Sequence, residues 1–472
     1  MQKRKKALII TLMIVTIIIT ILITFAVIYF TTDIFKNGQQ AFIYAISKNM
    51  ETFATLANTN TNIQEEFRKN YSYSSTGTIN GNINQENVNQ NVTLKTTARR
   101  DKNSGRYYAD ITLQNASQDI LKYSYINDND IYAIKCDDIL PNYIGVRNSN
   151  LKEYAKNMGI SEETVSNIPD QIDFEVFKGA FNVTKEEKEH LSSIYTNTIS
   201  NSISKENFQK NGKENITVNN ISCNASKYTL KLNGEEIKTL LINLLNTAKT
   251  DEISINILAK LQNALTTNVD TTQINSNIEN TIAKIQNDEI IANTTFVMEL
   301  YYYKGNTIKT VIDISNIGKV TINTDKNTQN IVFLIEKYDD IGNINMTSQI
   351  TISKGNYNDN VVYNLEIIPD TLNINQNINI MAQFGNTTES GYTNSYEVAI
   401  QNSEKSSMNF QYNVETLASE NVEEIQEITD SNSIIFNNYK IEQLVPFITA
   451  YMQQNSALIN NKLLSIDNTT VN

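Results

Sequence analysis

The chain has 472 residues, with 39 Lys and Arg against 51 Asp and Glu, one His, no Trp, two Cys, four Pro and 70 Asn. Setting aside Lys3, Arg4, Lys5 and Lys6 takes the net charge from −12 to about −16 over the rest, which argues against nucleic acid or an anionic lipid surface as a partner. A single histidine removes most zinc and imidazole-based catalytic sites, which need an imidazole base or two to three imidazole ligands.

Residues 1–6 read as a basic cytoplasmic segment. Ala7 to Phe30 is a run of 24 residues without a charge. As a helix it would span roughly 36 Å, enough to cross a ~30 Å hydrocarbon core. With the basic cluster ahead of it, residues 7–30 are expected to be a transmembrane signal anchor. That places the protein in the cell membrane as a single span, with the N-terminus cytoplasmic and the bulk of the chain extracytoplasmic. The run is too long for a cleaved signal peptide, and its end, Val27 to Thr32, lacks a small-residue cleavage site. In 31–70, Phe35, Phe42, Ile46, Phe53 and Leu56 recur at helical steps and predict a juxtamembrane helix.

From about residue 71 the period becomes two. Val92 and Leu94, Tyr107 to Leu113, Leu121 to Tyr125, and Tyr132 with Ile134 alternate between turn-forming clusters, which predicts an antiparallel meander. Asn150 with Glu153, and Thr184 with Glu187, mark helix starts. After a strand pair near 216–232, Ile237 to Leu245 form an apolar helix. Asp270 is expected to cap another, with Ile274, Ile278, Ile282 and Ile285 on one stripe. Phe296, Met298, Leu300 and Tyr302 open a second β block that runs through Val361, Tyr363, Leu365 and Ile367 to Ile380. Its oily face needs a partner layer, expected from the helices of 235–288 and from a C-terminal helix around Ile441 to Ile459. The acidic stretch from Glu415 to Asp430 reads as an exposed spacer.

The expected fold is therefore α+β: an N-terminal transmembrane helix followed by an ectodomain of curved antiparallel β-sheets packed on helices. The divisions fall at 71–200 for a first α+β region, 201–424 for helices and the second sheet, and 425–472 for the acidic spacer and C-terminal helix.

Few side chains suggest chemistry. His190 sits in a highly charged segment and reads as a solvated surface residue. The pairs Asp137-Asp138 and Asp339-Asp340 read as hydrated turns, and Asn127 to Asp130 lacks the Gly and distal Glu of a complete calcium loop. No catalytic, cofactor or metal site is expected. Cys136 and Cys223 are either a disulfide or two independent buried thiols.

Ile131 to Val146, Asn150 to Gly159 and Lys227 to Ile237 resemble stretches of uncharacterised signal-anchored envelope proteins of low-GC Gram-positive bacteria. The plan of a sheet wrapped over helices is similar to the half-open barrel of lipoprotein carriers. The functional expectation is a non-enzymatic, membrane-anchored envelope protein with a structural or protein-interaction role. The alternative is a carrier for an apolar ligand such as a lipid or lipoprotein acyl chain. In that case Phe296, Met298, Leu300, Tyr302, Val361, Tyr363, Leu365 and Ile367 are the candidate ligand or core face.

Overall fold

The computed structural model describes residues 38–39, 41–46 and 61–467, apart from breaks at 87, 116–117, 137–139, 167, 173–183, 220, 266–270, 326–328, 340, 358–359 and 372–375. The expected anchor at 7–30 lies outside the described residues. Among those described, no helix is long and apolar enough to cross a membrane.

Helix α1 (Thr61–Asn70) leads into six strands: β1 (Tyr73–Gln85), β2 (Val88–Arg100), β3 (Tyr107–Asn115), β4 (Gln118–Asp128), β5 (Ile131–Cys136) and β6 (Leu140–Arg147). Helices α2 (Leu151–Asn157), α3 (Glu162–Ser166) and α4 (Lys185–Ser202) precede the hairpin of β7 (Phe208–Val218) and β8 (Ile221–Leu232). Helices α5 (Gly234–Thr250), α6 (Glu252–Leu265), α7 (Thr271–Gln286) and α8 (Glu289–Ala292) follow. A long meander then comprises β9 (Phe296–Tyr303), β10 (Asn306–Ile314), β11 (Gly318–Asp325), β12 (Asn330–Tyr338), β13 (Ile344–Tyr357), β14 (Asn360–Ile368), β15 (Asn377–Phe384), β16 (Gly391–Ser403) and β17 (Ser406–Ala418). The short β18 (Ser433–Ile435) and helix α9 (Ile441–Asp467) end the described chain.

The expectation of separate antiparallel sheets packed on helices is overturned, because all 18 strands form one mixed sheet. β7 to β17 pair in sequence order, β17 pairs with β1, and β1 to β6 continue the ladder. β18 adds to β6 as the parallel pair. The sheet thus runs unbroken across the division expected at residue 200.

The seam between the two meanders is β1, whose sequence is poor in apolar side chains. Gly77 and Gly81 leave room on one face for rings from β17. A Cβ at Gly77 would lie 2.6 Å from Cε2 of Tyr412, and one at Gly81 would lie 2.7 Å from the Phe410 ring. Reaching over Gly77, the Tyr412 hydroxyl bonds to Thr96 Oγ1 on β2 at 3.2 Å, so one side chain ties three strands together. Aromatic rings laid over strand glycines restore packing that glycine alone lacks.

Both ends of the sheet are blunted. β7 carries exposed Lys210 and Lys213 and a bulge at Gly212, while β18 has only three residues. Charges, bulges and shortness discourage further strand addition.

The helices follow their sequence signals locally and differ in where they pack. Thr184 and Glu187 form a reciprocal capping box on α4, and Asn233 and Glu236 form one on α5. Asn150 precedes α2 in a left-handed conformation without a side-chain cap. The α7 stripe does not meet the second sheet. Ile274 and Ile278 are buried with Ile255 of α6 and flanked by Leu245 of α5, and Ile285 joins Leu241 and Ile291. The acidic stretch is not a free spacer either. Ile425 and Ile428 are buried against Ile126, Ile131, Ala133 and Tyr143, and the Ile428 amide donates to Asp128 at 2.9 Å.

Candidate functional site

Strand register sorts the side chains of the sheet into two faces, since directly opposed residues share a face. On one face three apolar rows cross the strands. The first is Phe333, Ile350, Ile367, Ile378, Ile400, Met408 and Ile83. The second is Ile331, Ile352, Leu365, Ile380, Val398 and Phe410, which faces Gly81. The third is Tyr363, Ala382, Tyr396, Tyr412, Ile79, Leu94, Leu113 and Leu121. Within it Tyr396 stacks on Tyr412 with ring centroids 6.0 Å apart.

Helices cover this face at one end. Phe42, Ala45 and Ile46 of the helical residues 41–46, Ile199 of α4 and Leu240 of α5 pack on Phe208, Leu230, Met298, Leu300 and Ile312. Thr307 Oγ1 donates to the Ala45 carbonyl, and Tyr302 meets Tyr44 at 3.5 Å, which pins residues 41–46 to β9 and β10. α1 covers a second spot at the seam. There Phe67 packs on Tyr73 and Tyr392, and Gln64 and Asn394 exchange two hydrogen bonds of 3.0 Å. Burial beside α1 pushes the Tyr107 hydroxyl up to about 12.

Among the described residues, no helix joins the buried clusters of the face between these covers. Ile350, Ile352, Val361, Leu365, Ile367, Ile378, Ile380, Val398 and Ile400 are all half-buried. The buried cluster nearest them, Ile322 with Ile331, consists of strand residues alone. Ten strands from β12 to β4 at a spacing of ~4.8 Å give a band about 43 Å long, and the seven-residue run from Val361 to Ile367 makes it about 20 Å wide. Its β3–β5 end is the most exposed, with Ile111 at 43%, Tyr123 at 45% and Ile134 at 52% of full exposure.

The candidate face is therefore divided. Met298 and Leu300 are buried in the helix-covered core, with Phe296 and Tyr302 packed against it. Val361, Tyr363, Leu365 and Ile367 lie on the open band. Cys136 on β5 is buried and Cys223 on β8 is half-buried. They lie near opposite ends of the strand order and form no disulfide with each other. His190 is exposed and bonds Asp251 at 2.6 Å. Asp339 accepts from the Ile341 and Asn343 amides and closes a turn, while Asp137 and Asp138 lie outside the described residues. In the Asn127 to Asp130 turn, Asp128 takes Arg106 at 2.8 Å and Asp130 takes Arg147 at 3.2 Å, so both carboxylates hold structure. Among the described residues no group of His, Cys, Asp and Glu could hold a metal ion.

The reverse face carries the apolar cluster around Ile126 at β3–β6 and polar side chains elsewhere. On β7–β10 Lys227 binds Glu299 at 2.8 Å and lies over the Tyr301 ring. Burial would lower the Lys227 ammonium, but the bonds to Glu299 and Tyr301 hold it above its ordinary value. On β3 burial would raise Asp110, while bonds from Ser124, Tyr108 and Lys122 keep its carboxyl below the ordinary value.

The sequence profile of a family of unknown function (DUF6583) matches residues 1–452. The chain belongs to that family. No curated protein matches it. The DUF6583 match takes in the N-terminal apolar run, the whole sheet and the start of α9.

Proposed function

We propose that this DUF6583 chain is an envelope protein held at the cell membrane through residues 7–30, and that its sheet accepts acyl chains of lipids or lipoproteins along the open band. The observation that carries this reading is the contrast along one face. Among the described residues, the same apolar rows that helices seal at β7–β10 continue through β12–β15 without a covering helix. An aliphatic surface of that size without charged side chains in its rows favours long hydrocarbon over polar ligands. Location supports the source of such chains. Phe42, seated on the covered end, follows the uncharged run by a dozen residues, a reach of at most about 40 Å. The likeness to half-open lipoprotein carriers agrees with this reading as architectural analogy.

The test is photo-crosslinking in intact cells, with a benzophenone amino acid at Leu365 or Ile380 on the band, or at Glu366 on the reverse face. Lipid adducts at the first two positions and none at the third are expected. Adducts to protein alone at Leu365 and Ile380 would refute acyl binding. That outcome would support the second reading, a protein-interaction ectodomain, which the exposed Ile111, Tyr123 and Ile134 favour.

A further inference from the structure

The reverse face at the seam holds a groove of about 810 Å3. Its volume lies within the ~300–1,000 Å3 range of ligand sites, although such sites are usually lined by apolar side chains and this one is not. Register explains its shape. Gln383, Ser395, Asn413, Thr78 and Lys95 stand directly opposite one another across β15, β16, β17, β1 and β2. Thr393, Glu415, Thr76 and Thr97 form a second row alongside. Polar groups, hydroxyls and amides apart from Lys95 and Glu415, therefore repeat every ~4.8 Å in two parallel lines across the strands.

We infer that this groove binds a linear, uncharged oligosaccharide. Such a polymer repeats hydroxyls along its length, as the groove repeats donors and acceptors across strands. Threonine offers both a hydroxyl and a methyl, which match the alternating O–H and C–H surfaces of a sugar ring. Charge points the same way. Lys95 and Glu415, one on each row, offset each other, so the groove favours neither a polyanion nor a polycation. Thr76, Thr97, Thr393 and Asn413 are exposed, so a ligand reaches them without displacing any part of the fold. Ser395 donates to Asn413 Oδ1 at 2.7 Å, which orients that amide along the row. This site lies on the opposite face from the acyl band and does not depend on it.

Saturation-transfer NMR on the full chain, held in a zwitterionic detergent without a sugar head group, tests the inference with chitotetraose, cellotetraose and maltotetraose. Transfer to the ring protons of at least one tetrasaccharide is expected. Affinity should fall at least tenfold in Thr76→Val/Thr97→Val, which keeps side-chain shape and β preference, with an unchanged thermal midpoint. Lys95→Ala, at an exposed position, provides a second groove variant. Leu365→Asp, on the other face, should leave sugar binding intact whether or not acyl chains bind there. Absence of transfer from all three sugars, or transfer that neither groove variant weakens, would overturn the inference.

Discussion

Gly77→Ala tests whether the seam depends on rings laid over glycine. The new methyl would sit 2.6 Å from Tyr412 Cε2, 2.8 Å from the Asn413 carbonyl oxygen and 2.8 Å from Thr96 Oγ1. Carbon atoms prefer about 3.5–4.0 Å, so the Tyr412 ring must retreat by roughly 1 Å. That movement strains the 3.2 Å bond to Thr96 and the stack on Tyr396. Overpacking costs about 1–3 kcal/mol and a lost hydrogen bond about 1 kcal/mol, against about 0.5–1 kcal/mol gained by replacing a strand glycine. The net expectation is a loss of about 1–3.5 kcal/mol. Tyr412→Ala added to Gly77→Ala removes the clashing ring, so the two changes should couple favourably by at least about 1 kcal/mol. Hydrogen exchange of β1 and β17 amides, read with equilibrium urea unfolding, measures both quantities. A Gly77→Ala protein as stable as the parent, or strictly additive losses, would refute the reasoning.

Leu300→Ala, at a fully buried site, should cost about 2–5 kcal/mol, whereas Leu365→Ala on the half-buried band should cost about 1 kcal/mol. Equal urea midpoints for the two would mean that Leu365 is covered. Ile278→Asp should lose several kcal/mol by placing a charge among Ile255, Ile274 and Leu245, while Glu279→Lys gives up only a surface pair with Lys249. Comparable thermal midpoints would place α7 outside the core. Because the folded Asp110 carboxyl titrates below its ordinary 3.8, its contribution is present above that pH and is lost as pH falls through the lower folded value. The stability gap between the parent and Asp110→Asn should therefore be constant near neutrality and narrow in acid. A gap unchanged down to about pH 3 would contradict this assignment.

The strands with dense apolar alternation, from Tyr107 to Ile134 and from Phe296 to Ile380, were legible in the sequence because a half-buried sheet writes its period directly into side-chain polarity. The seam was not. β1 replaces apolar residues with Gly77 and Gly81 and fills its other face with Thr and Asn, so its period is faint until Phe410 and Tyr412 are known to lie over it. β16 does alternate through Tyr396, Val398 and Ile400, but its pairing does not show from one segment alone. Nor could spacing reveal that the α7 isoleucines find other helices rather than the sheet. An amphipathic stripe specifies that a partner exists and leaves its identity to the tertiary fold. The same gap hid the band, since a covered and an uncovered oily strand face carry the same residues.

The order of the strands also bears on how the molecule is made. β1 meets β17 across 341 residues, as at Ser75 and Thr416, so the N-terminal meander emerges from the ribosome long before its second neighbour exists. At about 5–20 residues per second that wait lasts roughly 17–70 s, far longer than a hairpin needs to form. During it, β1 presents an unsatisfied edge on which any other extended chain could settle. Glycine and asparagine, both poor strand formers, make that edge a weak template. The feature that obscures β1 in the sequence would then serve to keep the nascent chain out of wrong pairings until its rings arrive.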